Sequence, residues 1–228
     1  MAKPRVLIVA AHPDDEVLGA GGTIAALAAT HEVRILILGE GVSARYARRG
    51  QASARDLQRL RTQARVAARL LGAAGVECSG LPDNRFDQVA LLDIVKCVEQ
   101  ALARMKPTVV YTHHPGDLNI DHQLTFRAVL TATRPLPDAG VRELYAFEIP
   151  SSSEWSFHRT GPAFQPTMFV NITRTLEKKI RALQVYRGEV RRFPHPRSPE
   201  ALRAIAHRWG SVAGVNAAEA FELIRAVR

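Results

Sequence analysis

The feature that most constrains this chain is the run Arg5 to Ala11 (RVLIVAA), cut off at once by His12-Pro13-Asp14-Asp15-Glu16. A continuous apolar, β-branched run shows no alternation, so both its faces must be buried, which is the signature of an inner strand of a parallel sheet. The pattern then repeats. Thr23 to Thr30 reads as a helix and His31 to Leu38 as a second strand. A long helical stretch, Ser53 to Leu71, stops at Gly72, and Val76 to Ser79 makes a third strand. A helix from Val89 to Met105 is closed by Pro107, and Thr108 to Thr112 makes a fourth strand. His122 to Thr133 (helix), Arg142 to Ile149 and Met168 to Ile172 (strands) follow. Thr173 to Tyr186, Pro199 to Arg208 and Ala217 to Val227 predict a helical C-terminal third. Strand and helix alternating at this pace give an α/β fold: a mostly parallel sheet flanked by helices on both faces. No repeat or linker divides the chain, so residues 1–228 read as one domain.

Composition removes other classes. With 46% hydrophobic and 23% charged residues, the 228-residue chain is neither disordered nor collagen-like. Cys78 and Cys97 cannot form a disulfide framework, which fits a reducing compartment. The six-residue run Val6 to Ala11 is too short for a signal-peptide core, and no apolar stretch reaches the ~18 residues of a membrane span, so a cytoplasmic location is expected. The charge is less ordinary: 31 Lys+Arg against 22 Asp+Glu give +9, which raises nucleic acid, an anionic membrane or an anionic substrate as partner.

Chemistry concentrates in two loops. His12, Asp14 and Asp15 follow the first strand; Asn119-Ile120-Asp121-His122 follows the fourth. If strands two and three lie on one side of strand one and strand four on the other, both loops leave the switch point where open α/β sheets bind ligands. His12, Asp15 and His122 are then within reach of one another. Two imidazoles and a carboxylate leave a fourth tetrahedral position open, as in a catalytic zinc site. Zinc lowers the pKa of a bound water to about 7, and Asp14 stands ready as general base. Asp121 can orient a neighbouring group.

Plainer roles exist for the same residues. Asp14 or Asp15 could simply cap the first helix. His113 and His114 read as loop or supporting residues, and His31, His158, His195 and His207 as surface or core histidines. Gly19-Ala20-Gly21-Gly22 is a poor dinucleotide loop, because Ile24 stands at the third glycine position and the preceding acids repel a pyrophosphate. Close packing of the first helix on the sheet is the better reading. Trp155 offers an aromatic face to a sugar or to core packing.

The segment Ala11 to Thr23 (AHPDDEVLGAGGT), with Asp121-His122 downstream, resembles the PIG-L/LmbE family of zinc-dependent de-N-acetylases. Gly80-Leu81-Pro82-Asp83 and Ala218-Glu219-Ala220-Phe221 fit further family signatures. The resemblance implies a Rossmann-like fold, one zinc ion per chain (other divalent metals being compatible) held by His12, Asp15 and His122, and Asp14 as general base. It implies hydrolysis of an N-acetyl group, usually on an N-acetylglucosamine unit, to free amine and acetate. Asp83 and Arg61 match sugar- or substrate-contacting positions, with His113 a further substrate-side candidate. One departure stands out: many relatives carry a histidine where this chain has Asn119. An amide can hydrogen-bond an oxyanion but cannot deliver a proton near neutral pH, so either Asp14 makes both proton transfers or His113, His114 or His195 helps.

Two other classes compete on the residues alone. A non-haem iron enzyme uses the same two-histidine, one-carboxylate set, and a non-catalytic anion- or nucleic-acid-binding module would use the charge, although no nucleic-acid motif is present. The charge itself is unevenly spread. Arg45 to Arg69 holds eight arginines and one acid, and Arg174 to Arg208 ten bases and three acids, while the metal-bearing remainder is net acidic. These stretches either flank the cleft and hold an anionic part of an amino-sugar substrate, its aglycone, or are solvated faces. No nucleic-acid partner and no integral membrane segment are expected, and a homo-oligomer is compatible with the sequence.

Overall fold

The computed structural model describes residues 3–137 and 140–228. Seven strands, β1 (Arg5–Ala10), β2 (Glu32–Gly39), β3 (Gly75–Leu81), β4 (Val109–His113), β5 (Glu143–Phe147), β6 (Met168–Asn171) and β7 (Ala218–Ala226), form one sheet in the order β3-β2-β1-β4-β5-β7-β6. The first five are parallel, and β7 enters antiparallel between β5 and β6. Among the described residues six α-helices, α1 (Asp15–Leu27), α2 (Ala54–Leu71), α3 (Leu91–Met105), α4 (Ile120–Ala132), α5 (Leu176–Val185) and α6 (Pro199–Ala213), cover its two faces. Chain order reverses between β1 and β4, as the motif argument required.

The burial of β1 on both faces is visible residue by residue. Val6, Ile8 and Ala10 pack with α1, α2 and α5, whereas Leu7, Val9 and Ala11 pack with α3 and α4. Each such large aliphatic side chain contributes roughly 1.5–3 kcal/mol on burial. The helices end where their chemistry says they should. Ser53 caps α2 by accepting from the Asp56 amide, and Gly72 closes it at φ 83°. Ser198 caps α6 ahead of Pro199, and Asn119 caps α4. Among the described residues no helix is long and apolar enough to cross a membrane.

Two expectations need correction. Helix α1 begins at Asp15, not Thr23, so the glycines lie inside it, and Ala20 breaks its regular geometry at φ −141°. Residues 217–227 are not helical, and Ala218–Ala226 form β7. Ala, Glu, Leu and Arg are good helix formers, but Gly214 ends α6 at φ 71° and the slot between β5 and β6 can be filled only by a strand; tertiary pairing overrides propensity.

The glycine run does what close packing demands. A Cβ at Gly19 would lie 2.4 Å from Cδ2 of the Phe147 ring, and one at Gly22 2.7 Å from Ile172 Cγ2. Helix α1 therefore sits tight on the sheet and carries Asp15 and Glu16 to the end of β1. Gly19→Ala should lower stability by about 1–3 kcal/mol through overpacking, even though alanine is the better helix former by about 1 kcal/mol. Denaturant midpoints measure this; a Gly19→Ala protein as stable as wild type would mean that Phe147 has room to move.

Candidate active site

Four loops at the carboxyl ends of β1 to β4, with the segment between α5 and α6, build one cleft of about 250 Å³. Its walls include His12, Asp14, Asp15, Asp83, Asn84, Asn119, His122 and three arginines, Arg45, Arg191 and Arg197. The two loops singled out by sequence thus meet.

At the floor, His12, Asp15 and His122 are all buried and present ligand atoms within 4.8 Å of one another. Asp15 Oδ2 is the focus. It accepts from the His12 amide at 2.8 Å and lies 3.4 Å from His12 Nδ1 and 3.2 Å from His122 Nε2. The far nitrogen of each imidazole faces its own carboxylate. His12 Nε2 bonds Asp121 Oδ2 at 2.8 Å, and Asp121 Oδ1 accepts from the Phe86 amide at 2.9 Å. His122 Nδ1 lies 3.1 Å from Asp117 Oδ1, off the straight line of a good hydrogen bond. Because a carboxylate accepts, these contacts place a proton on the outward nitrogens and leave His12 Nδ1 and His122 Nε2 to turn toward Asp15.

The electrostatics agree. Burial pushes the His12 and His122 pKa values down, but Asp121 and Asp15 at His12, and Asp15 and Asp117 at His122, more than reverse it; His122 rises to about 9. Burial alone would raise Asp15, yet His122 and His12 hold it well below the usual carboxylate range. A fully buried carboxylate between two imidazoles calls for positive charge at that point, and two nitrogens with one oxygen are donors that zinc takes. The residues fit a divalent cation. A second buried trio, His12, Asp83 and Asp121, is also close enough to hold one.

Asp14 is at the N-cap of α1 but does not cap it: its side chain makes no capping bond, and its φ of 112° is a strained conformation for a residue with a Cβ. Its carboxylate instead lines the cleft and accepts from Arg197 at 3.0 Å. Burial raises the Asp14 pKa well above the ordinary range, with Arg197 pulling the other way. Beneath it Glu16, wholly buried, accepts from the Tyr186 hydroxyl at 2.5 Å and the Asp14 amide at 3.0 Å. Burial lifts Glu16 to about 7.

The remaining expected residues are distributed as follows. Asp83 lies in the wall 3.4 Å from His12 Nε2 and accepts from the Ala44 amide. Asn119 lines the cleft; its Oδ1 caps α4 through the Asp121 amide and its Nδ2 donates to Asn84 Oδ1 at 2.8 Å. His113 is fully buried behind the floor, stacked 4.0 Å from His122. Its Nε2 accepts from the Ala11 amide, and burial together with His122 keeps it neutral. His113 therefore has no cleft surface with which to touch a substrate. Arg61 is exposed on α2, one residue round the helix from buried Leu60, and is not part of the cleft wall. His114 is buried against Glu222, and His195 packs on half-exposed Trp155; neither lines the cleft. Sequence reading missed Asp117, Arg45, Glu189, Arg191 and Arg197. Asp117 was readable in principle, as an acid five residues before His122 in the same loop. Arg197 had only its setting among three prolines to mark it.

Comparison with known proteins follows the same lines. Residues 7–133 match the PIG-L family of GlcNAc-PI de-N-acetylases. An uncharacterized deacetylase of Escherichia coli K12, YaiS, is 25% identical over 172 residues, covering 73% of this chain and 81% of that one. Among solved structures, N,N'-diacetylchitobiose deacetylase from Pyrococcus horikoshii superposes with a TM-score of 0.76 at 22% identity, over 97% of this chain and 84% of its own. GalB, the 4-carboxy-2-hydroxymuconate hydratase from Pseudomonas putida KT2440, does so with 0.77 at 24% identity, over 99% and 98%. These two likenesses establish a shared fold, and one fold evidently carries both a deacetylase and a hydratase. The family match is different in kind, since it spans more than half of the chain and contains every residue of the cleft floor: the chain belongs to the PIG-L family of GlcNAc-PI de-N-acetylases.

Proposed function

We propose that the protein is a zinc-dependent hydrolase that removes the N-acetyl group from an N-acetylglucosamine-type amino sugar or its conjugate. The observation that carries this reading is the opening of Asp14, Asn119 and the His12–Asp15–His122 cluster onto one cleft. His12, Asp15 and His122 would hold the zinc, which would supply Lewis acidity at the cleft floor. The chain's own groups do the rest. Asp14 takes a proton from the water whose oxygen attacks the acetyl carbonyl carbon, and returns it to the amine nitrogen as the C–N bond breaks. A carboxylate raised by burial well above the ordinary range suits both transfers, and Arg197 fixes its direction. Asn119 Nδ2, now bonded to Asn84, is the amide donor available to the developing oxyanion. Asp83 accepts a sugar hydroxyl from the wall.

The same cleft favours a substrate with an anionic aglycone. The Arg45 and Arg191 guanidiniums flank Gly188: Arg191 Nη1 donates to its carbonyl at 2.6 Å, and Arg45 Nη1 is 3.3 Å from where a Cβ would stand. Glu189 is the acid beside them; it pairs with Arg45 and Arg197, and Arg197 pairs also with Asp14, so Arg191 is the wall arginine that meets no acid among the described residues. The half-buried free thiols of Cys78 and Cys97 fit a cytoplasmic enzyme.

Primary-amine release from a panel of N-acetylglucosamine conjugates, with zinc present, tests the reading. Release is expected, and His12→Ala should abolish it; release from acylated peptides alone would overturn the sugar assignment, and restoration of chelated protein by iron alone the metal. Asp14→Asn should lower kcat by roughly 10²–10⁴-fold. Asn119→Ala and Asn119→Ser should both lower it by roughly 10²–10³-fold, while only the alanine variant loses the α4 cap. Wild-type turnover in either would remove Asn119 from the reaction. Arg45→Ala combined with Arg191→Ala should raise KM for an anionic conjugate and leave a neutral one unchanged.

Metal-free protein should also report the buried imidazoles. Both His12 and His122 have folded-state pKa values above their unfolded ones, so the stability they give is complete below about 6.5; the share of His122 is lost as pH rises toward about 9, and that of His12 is lost as pH rises through its own raised value. Urea midpoints of chelated protein should therefore fall between pH 6.5 and 9, and zinc uptake should release protons. A flat profile would mean the imidazoles are not charged against Asp15.

A further inference from the structure

Three consecutive serines, Ser151, Ser152 and Ser153, follow β5 and are nearly buried. Nothing in their sequence marks them as functional. The backbone turns sharply there, with Ser151 at φ 74°, a region a serine adopts only under constraint. The turn is held from both sides: the Ser152 and Ser153 amides bond Ile149 O at 3.0 and 2.9 Å, and the Ser151 amide bonds Glu154 Oε1 at 2.7 Å.

What distinguishes the turn is where its hydroxyls go. Ser152 Oγ and Ser153 Oγ donate to the two oxygens of Asp117, the second at 2.7 Å, and the Asn119 amide adds a third donor at 2.9 Å. Asp117 is fully buried, and its remaining neighbour is Nδ1 of His122. With donors fixing both oxygens the carboxylate cannot swing, and the imidazole beside it is held with Nε2 toward Asp15. Ser151 Oγ faces the other way and accepts from Arg197 Nε at 2.7 Å. A guanidinium is planar, so fixing Nε also fixes the direction of Nη1, which donates to Asp14 Oδ2 at 3.0 Å.

We propose that the Ser151–Ser153 turn is the positioning element of this active site, holding His122 through Asp117 and Asp14 through Arg197. The proposal rests on the reading of His122 as a metal ligand and Asp14 as the proton carrier. It assigns separate tasks to adjacent hydroxyls: Ser152 and Ser153 serve metal affinity, Ser151 serves proton transfer. A carboxylate behind a metal-binding imidazole typically sets 10–100-fold in affinity.

The test is a split between two readouts. Zinc affinity, measured by competition with a chromophoric chelator, should fall roughly 10–100-fold in Asp117→Asn and by a smaller factor in Ser152→Ala combined with Ser153→Ala. Ser151→Ala and Arg197→Ala should bind zinc as the unaltered protein does but lose kcat with KM little changed, and Arg197→Lys should recover part of the loss. Thermal midpoints of all variants show whether a change is global. Wild-type zinc affinity in Asp117→Asn overturns the first half. Wild-type kcat in Ser151→Ala, or a loss that follows the thermal midpoint alone, overturns the second. A wild-type chain that takes up no zinc instead overturns the proposed function, and the positioning role falls with it.

Discussion

The active end of the molecule depends on one atom, Asp15 Oδ2. Asp15 is 1% exposed, and an ionised carboxylate there without partners would cost several kcal/mol or more. It is tolerable because the His12 amide and two imidazoles converge on it, and those groups arrive from opposite sides of the switch point between β1 and β4. The fold and the site are therefore one problem. The α1 glycines let the helix approach the sheet closely enough to bring Asp15 down, and the Asn119 cap starts α4 where His122 must lie.

Around that atom the charges are arranged in pairs running outward. Each imidazole is backed by its own acid, Asp121 for His12 and Asp117 for His122. Asp14, left without a capping role, is steadied by Arg197, itself anchored to Ser151 and Glu189. The basic surplus that first suggested nucleic acid contributes one arginine of its first stretch and two of its second to the cleft wall. Much of the rest, including Arg61, faces solvent.

Much of this was legible in the sequence, for physical reasons. An unbroken apolar strand followed by HPDDE fixes a parallel sheet with chemistry at its end, and two such loops on strands one and four must meet at the switch point. What could not be read was anything set by tertiary contact. Residues 217–227 have helix-forming composition, and Ala218–Ala226 become a strand because two neighbours need pairing. Thr23 looked like a helix start because glycines discourage helix, yet they are required against Phe147 and Ile172. Arg197, Asp117 and the serine turn carry no local signal; their roles exist only in the contacts among loops some 35 to 180 residues apart. The family places the reaction class, but a hydratase on the same fold shows why Asp14, Asn119 and the arginine wall must carry the argument.

The central claim is that His12 Nδ1, Asp15 and His122 Nε2, and not the adjoining His12, Asp83 and Asp121, form the metal centre. Anomalous diffraction at the zinc edge from a zinc-loaded crystal tests it most directly. The account predicts one peak within about 2.0–2.2 Å of those three donors, with Asp117 and Asp121 behind the imidazoles. A peak held by Asp83 and Asp121, or no peak at either trio, would contradict it.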